Sequence, residues 1–129
     1  MIPVLKNSDY QIIKTLIENY HPSQRTKEMG TLQTELRRAK IVDDPLINHN
    51  IIQLNSYFEV KDIRSGNRLC FTLTLPSEAN LKEKKVSILS PLGVALIGFQ
   101  EGKEFEWELP AGVRKFVIEK VEQPIQEKA

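Results

Sequence analysis

The chain has 129 residues, enough for one hydrophobic core with a modest appendage and too few for two full domains. Its 40% hydrophobic and 27% charged residues are ordinary for a soluble globular protein, and a net charge of +1 supplies no chain-wide attraction to nucleic acid. No apolar run approaches the roughly 20 residues of a membrane-spanning helix, the start Met1-Ile2-Pro3-Val4-Leu5-Lys6 lacks the features of a secretory leader, and the single Cys70 excludes an internal disulfide and a cysteine-built zinc cage; a cytoplasmic setting is expected.

Ser8-Asp9-Tyr10-Gln11 has the form of a capping box and predicts a helix start at Ser8. Tyr10, Ile13, Ile17 and Tyr20 then recur at helical spacing, until His21-Pro22 ends the pattern. After a polar connection, Gly30-Thr31 opens a second helix with Leu32, Leu36 and Ala39 on one face. Residues 1–44 are therefore expected to form a short antiparallel helical hairpin, projecting roughly 20 Å at 1.5 Å per residue. Arg37, Arg38 and Lys40 fall in its last turn, where cations oppose the helix dipole. They are also the candidates for contacts to phosphate or to an acidic protein surface. Asp43-Asp44-Pro45 breaks the helix and residues 45–50 form a linker; the adjacent carboxylates have no third oxygen ligand nearby and predict a solvated turn rather than a metal site.

From Ile51 the period becomes two. Phe58 and Val60 alternate with Tyr57, Glu59 and Lys61; Arg64-Ser65-Gly66-Asn67 turns the chain; and Leu69, Phe71, Leu73 and Leu75 alternate with Arg68, Cys70, Thr72 and Thr74. Val86-Ser87-Ile88-Leu89 reads as a short buried strand. Ser90, Pro91 and Gly98 then suit the cap, first turn and left-handed end of a helix of about two turns. Glu104-Phe105-Glu106-Trp107-Glu108-Leu109 alternates strictly, with the glutamates on an exposed face, and Val113 to Val121 returns as the last strand. Leu96, Ile97, Phe105 and Trp107 are assigned to the core. The fold class is α+β, with the hairpin followed over residues 51–122 by a five-stranded, mostly antiparallel sheet carrying one short helix, and a tail at 123–129.

Catalytic chemistry is absent from this pattern. His21 and His49 are the only histidines, neither beside a nucleophile, and no Gly-rich loop joins a strand to a helix in the manner of a phosphate cradle. No spacing of His, Cys, Asp and Glu fits a metal. No catalytic residue, cofactor or metal is expected, and the chain reads as a binding module.

The run Ser90-Pro91-Leu92-Gly93-x-Ala95-Leu96-Ile97-Gly98-x-x-x-Gly102, with Trp107-Glu108-Leu109-Pro110-x-Gly112 and the closing Val117-Ile118-Glu119-Lys120-Val121, resembles the C-terminal domain of the Gre transcript-cleavage factors. It is most similar to their Rnk branch, the regulators of nucleoside diphosphate kinase. The resemblance implies an FKBP-like sheet domain that docks on RNA polymerase at the rim of the secondary channel, with the helical hairpin pointing inward. It implies Ser90, Pro91, Leu92 and Gly93 as the polymerase-facing loop. Cleavage factors of the family carry two acidic residues at the tip of a long coiled coil, whereas residues 22–30 here contain only Glu28 on a much shorter hairpin. The implied role is polymerase binding without stimulated transcript cleavage. Two alternatives stay open: an FKBP-like prolyl isomerase using Phe71, Phe105 and Trp107, and direct RNA binding through Arg37, Arg38 and Lys40 with Lys82, Lys84 and Lys85.

Overall fold

The computed structural model describes residues 2–124. The chain enters through a short strand, β1 (Val4–Lys6), which passes directly into helix α1 (Asn7–Glu18). A connection containing a 3-10 turn at Pro22–Gln24 leads to α2 (Lys27–Arg38), and β2 (Lys40–Val42) follows it. The strands β1 and β2 pair in parallel, Val4 with Lys40 through Lys6 with Val42. This two-stranded pair brackets both helices and has no counterpart in the sequence pattern.

Both helix starts differ from the expected ones. The capping box at Ser8 does not form: the N-cap position is Lys6, without a side-chain cap, and the Ser8 N–H donates to Asp44 Oδ1 at 3.0 Å instead. Asp9, the residue inside the expected box, is buried and accepts from the Leu54 N–H at 3.1 Å. The second helix begins at Lys27 rather than Gly30, because Thr26 Oγ1 accepts from the Met29 N–H at 3.2 Å and caps it. The helix ends at Arg38, with Ala39 extended, so Lys40 belongs to β2 and not to the last helical turn.

The remaining strands are β3 (Tyr57–Asp62), β4 (Arg68–Thr74), β5 (Lys85–Ser87), β6 (Glu104–Leu109) and β7 (Gly112–Glu122), with helix α3 (Pro91–Leu96) between β5 and β6. They form a five-stranded mixed sheet in the order β5-β4-β3-β7-β6, in which only the β4–β5 pair is parallel. Phe58 and Val60 of β3 are fully buried, as the alternation requires. A register shift between Glu59 and Val60 sets the Ile118 and Val121 side chains on the same buried side although they are three apart.

One continuous core joins the two parts. It contains Leu5, Ile13, Ile17, Leu32 and Leu36 from the helical segment together with Ile52, Phe58, Leu73, Ile88, Leu96, Ile97 and Ile118. The Val4 N–H donates to the Gly98 carbonyl at 2.9 Å, which pins β1 to the end of α3.

Candidate interaction site

Helix α3 is built by its own sequence. Ser90 Oγ accepts from the Gly93 N–H (3.1 Å) and donates to the Ser87 carbonyl (2.7 Å), and Pro91 fills the first helical position, where no N–H is needed. Gly93 allows the helix to press on β5: a Cβ there would stand 2.4 Å from the Ser87 carbonyl oxygen and 3.0 Å from Ile88 Cα. Gly98 takes φ +83 and lies so close to Pro3 that a Cβ would meet its ring at 2.7 Å. Of the four residues Ser90, Pro91, Leu92 and Gly93, Leu92 and Gly93 are therefore turned into the protein, Ser90 is half-buried in capping, and Pro91 is exposed.

Pro91 stands at the lip of a cleft of about 420 Å³ between α2, α3 and β6. Its apolar side is Pro91, Val94, Ala95, Phe99 and Trp107, and its polar side is Lys27, Glu28, Thr31, Glu35 and Arg38 from α2 with Glu108 from β6. Trp107 sits edge-on against Phe116 at 5.7 Å, while Phe105 stacks on the same ring at 5.7 Å. Both are packed against the core, as expected, but only half-buried. The Arg38 guanidinium is 3.6 Å from Glu35 Oε2. Thr31, Glu35 and Phe99 were not singled out by the sequence, because nothing in it brings α2 beside α3.

The basic candidates do not share one surface. Arg38 lines this cleft, Arg37 lines a smaller groove of about 220 Å³ with Tyr10, Lys14 and Glu18, and Lys40 is exposed on β2. Lys82 and Lys84 are exposed, Lys84 lying 5.9 Å from the Phe71 ring, and Lys85 is half-buried in β5. Phe71 tilts against Phe58 at 6.3 Å in β4, separated from β6 by β3 and β7, so Phe71, Phe105 and Trp107 do not line a common pocket.

Neither histidine nor the cysteine lines this cleft. His21 Nδ1 accepts from the Ser23 N–H at 3.2 Å, and the His49 carbonyl accepts from Gln123 Nε2 at 2.9 Å. Cys70 is half-buried opposite Glu59, to which the Tyr57 hydroxyl donates at 2.8 Å. That hydrogen bond, then one to Cys70, raises the Tyr57 pKa above the usual phenol range. Among the described residues no group of three or more His, Cys, Asp or Glu side chains is placed to hold a metal ion, and no helix is long and apolar enough to cross a membrane.

Pro91 and Trp107 thus meet at one cleft, where the capped start of a short helix lies beside the edge strand of a mixed sheet. Residues 47–123 match the family described as transcription elongation factor, GreA/GreB, C-term, and the chain belongs to the GreA/GreB family, one of transcription factors rather than enzymes. It is 32% identical over 118 residues to transcription elongation factor GreA of Alkaliphilus oremlandii, spanning 92% of this chain and 71% of that protein. It is 30% identical over 82 residues to the regulator of nucleoside diphosphate kinase of Escherichia coli, spanning 64% of this chain and 60% of that one. A solved GreA/GreB factor from Nitrosomonas europaea superposes with a TM-score of 0.80 at 29% identity, over 95% of this chain and 98% of that chain.

Proposed function

We propose that this protein binds RNA polymerase near the secondary channel, through an FKBP-like domain formed by the mixed sheet and α3, and acts there without stimulating transcript cleavage. Membership of the GreA/GreB family supports the partner. The observation that carries the docking surface is the exposed Pro91 beside the half-buried Trp107 at the mouth of an open cleft. Partly buried aromatic side chains in such a position are what protein interfaces concentrate their binding energy on. Ser90, Leu92 and Gly93 hold Pro91 in place from within. Arg37 on α2 and Lys40 on β2 each supply an exposed cation to an acidic partner, at separate places.

The carboxylates support the reading without cleavage. Two acids at a coiled-coil tip are what the family resemblance implies for cleavage, and residues 22–30 offer only Glu28, which lines the cleft close to the body of the fold. The helices α1 and α2, with 12 residues each, are about 18 Å long.

The test is capture of core RNA polymerase by the tagged chain, with competition by a cleavage-competent GreA. Capture that GreA displaces, that Trp107→Ala weakens by about tenfold or more, and that leaves RNA cleavage in stalled complexes at its intrinsic rate is the expected result. Absence of binding at micromolar concentration overturns the polymerase reading, and stimulated cleavage overturns the second half of it.

A further inference from the structure

We propose that the open edge of β6 is a docking site for an extended basic segment of another protein, which adds to the sheet as a sixth strand. The two edges of the sheet are treated differently by the fold. The β5 edge is three residues long, and Asn80 closes it: the Asn80 N–H donates to the Lys85 carbonyl (3.0 Å) and the Lys85 N–H to the Asn80 carbonyl (2.9 Å). The β6 edge is six residues long, and among the described residues no backbone group outside β7 bonds to it.

The phase of the ladder shows what this edge offers. The Ile118 N–H donates to the Lys103 carbonyl at 2.9 Å, so Phe105, Trp107 and Leu109 are the positions bonded to β7. Glu104, Glu106 and Glu108 direct their N–H and C=O groups away from it. Their side chains are exposed in a row, while Trp107 between them borders the cleft. A strand added antiparallel to β6 would set one set of its side chains beside the glutamates and the alternate set beside Trp107. Lysine or arginine in the first set and apolar residues in the second satisfy both.

Charge selects this occupant over a second copy of the chain. Two β6 edges paired about a two-fold axis would lay their glutamate rows against each other, and like charges directly opposite are destabilising. Of the usual means of blocking an edge, a proline, a bulge and an inward-pointing charge are not present between Glu104 and Leu109; the one present is the glutamate row, which repels an acidic strand and attracts a basic one.

The probe is the peptide acetyl-Lys-Val-Lys-Val-Lys-Val-Lys-amide, titrated against the full chain while the fluorescence of Trp107, its single tryptophan, is followed. Binding is expected, with hydrogen exchange slowed at the amides of Glu104, Glu106 and Glu108. Opposite the glutamates the lysines make the ladder bonds, so N-methylation of the lysine amides should weaken binding roughly tenfold or more, and N-methylation of the valine amides should leave it unchanged. Reversing the row with Glu104→Lys, Glu106→Lys and Glu108→Lys should transfer the preference to the Glu/Val analogue. No response at millimolar peptide, equal binding by the two N-methylated peptides, or unchanged exchange at the three amides overturns the proposal. The assay contains no polymerase, so its outcome is separate from that of the capture experiment.

Discussion

Gly93 shows why the most recognisable motif of this chain is only partly a surface. A side chain there would collide with the backbone of β5, since the nearest atoms are the Ser87 carbonyl oxygen at 2.4 Å and Ile88 Cα at 3.0 Å, with Leu73 Cδ1 at 3.1 Å. Two of these are backbone atoms that cannot swing aside. Gly93→Ala is therefore an overpacking change, expected to cost about 1–3 kcal/mol, measurable as a lower midpoint in urea unfolding. It should also push α3 and Pro91 outward and weaken polymerase capture without removing any exposed group. A variant of unchanged stability would show that β5 yields to the added methyl and that the glycine serves a surface contact instead. The same distinction applies to Trp107, whose alternation with glutamates assigns it to the core. Because β6 is an edge strand, the ring stays partly open to the cleft.

At the scale of elements, α1 is seated by two carboxylates that act across the chain rather than within the helix. Asp44 accepts from the Ser8 N–H, and hydrogen bonding to the Ser8 side chain, then to that N–H, holds its carboxyl below the ordinary aspartate value. Asp9 is displaced the other way: burial raises its pKa, and Asp44 adds to the rise, against the Leu54 N–H and Lys6, 3.9 Å away, which lower it. Folded Asp9 thus binds its proton more tightly than unfolded Asp9. Its contribution to stability is greatest below the ordinary aspartate value and declines as pH rises through the raised value; Asp44 contributes in the opposite sense, losing its part as pH falls below the ordinary value. Asp9→Asn keeps an acceptor for the Leu54 N–H and removes the titration. In urea unfolding followed across pH, that variant should lack the decline in stability above the ordinary aspartate value; an unaltered pH profile would show that Asp9 does not titrate in the fold. This clip also explains which elements were legible in the sequence. The period-two runs gave β3, β4, β6 and β7, and Ser90, Pro91 and Gly98 gave α3, because each signal is local. Ser8 looked like a cap because its neighbours have the right spacing, yet its partner lies 36 residues away. The β1–β2 pair, three residues a side, carries no periodicity to read, and the start of α2 was hidden because a glycine inside a helix resembles a boundary. The cleft was illegible for a related reason, since it exists only where α2 and α3 meet.

On the scale of the whole molecule, the helical segment and the sheet are held by a common core, with Leu32 of α2 and Ile118 of β7 both fully buried in it. Hydrophobic clusters that bridge two segments make their unfolding cooperative, since neither segment can expose its face alone without losing the other's contacts. The helices should then melt together with the sheet. The cleft depends on this coupling, because α2 supplies its polar wall and β6 its tryptophan. Far-ultraviolet circular dichroism, dominated by α1 and α2, and Trp107 fluorescence, which reports on β6, are expected to give coincident urea transitions. Leu32→Ala should shift both midpoints equally, by the loss of about 2–5 kcal/mol that a buried leucine truncation brings. If the substitution moved the dichroism transition and left the fluorescence transition in place, the helical segment would be an independent unit resting on the sheet, and the wall it lends to the cleft would be an adjustable one.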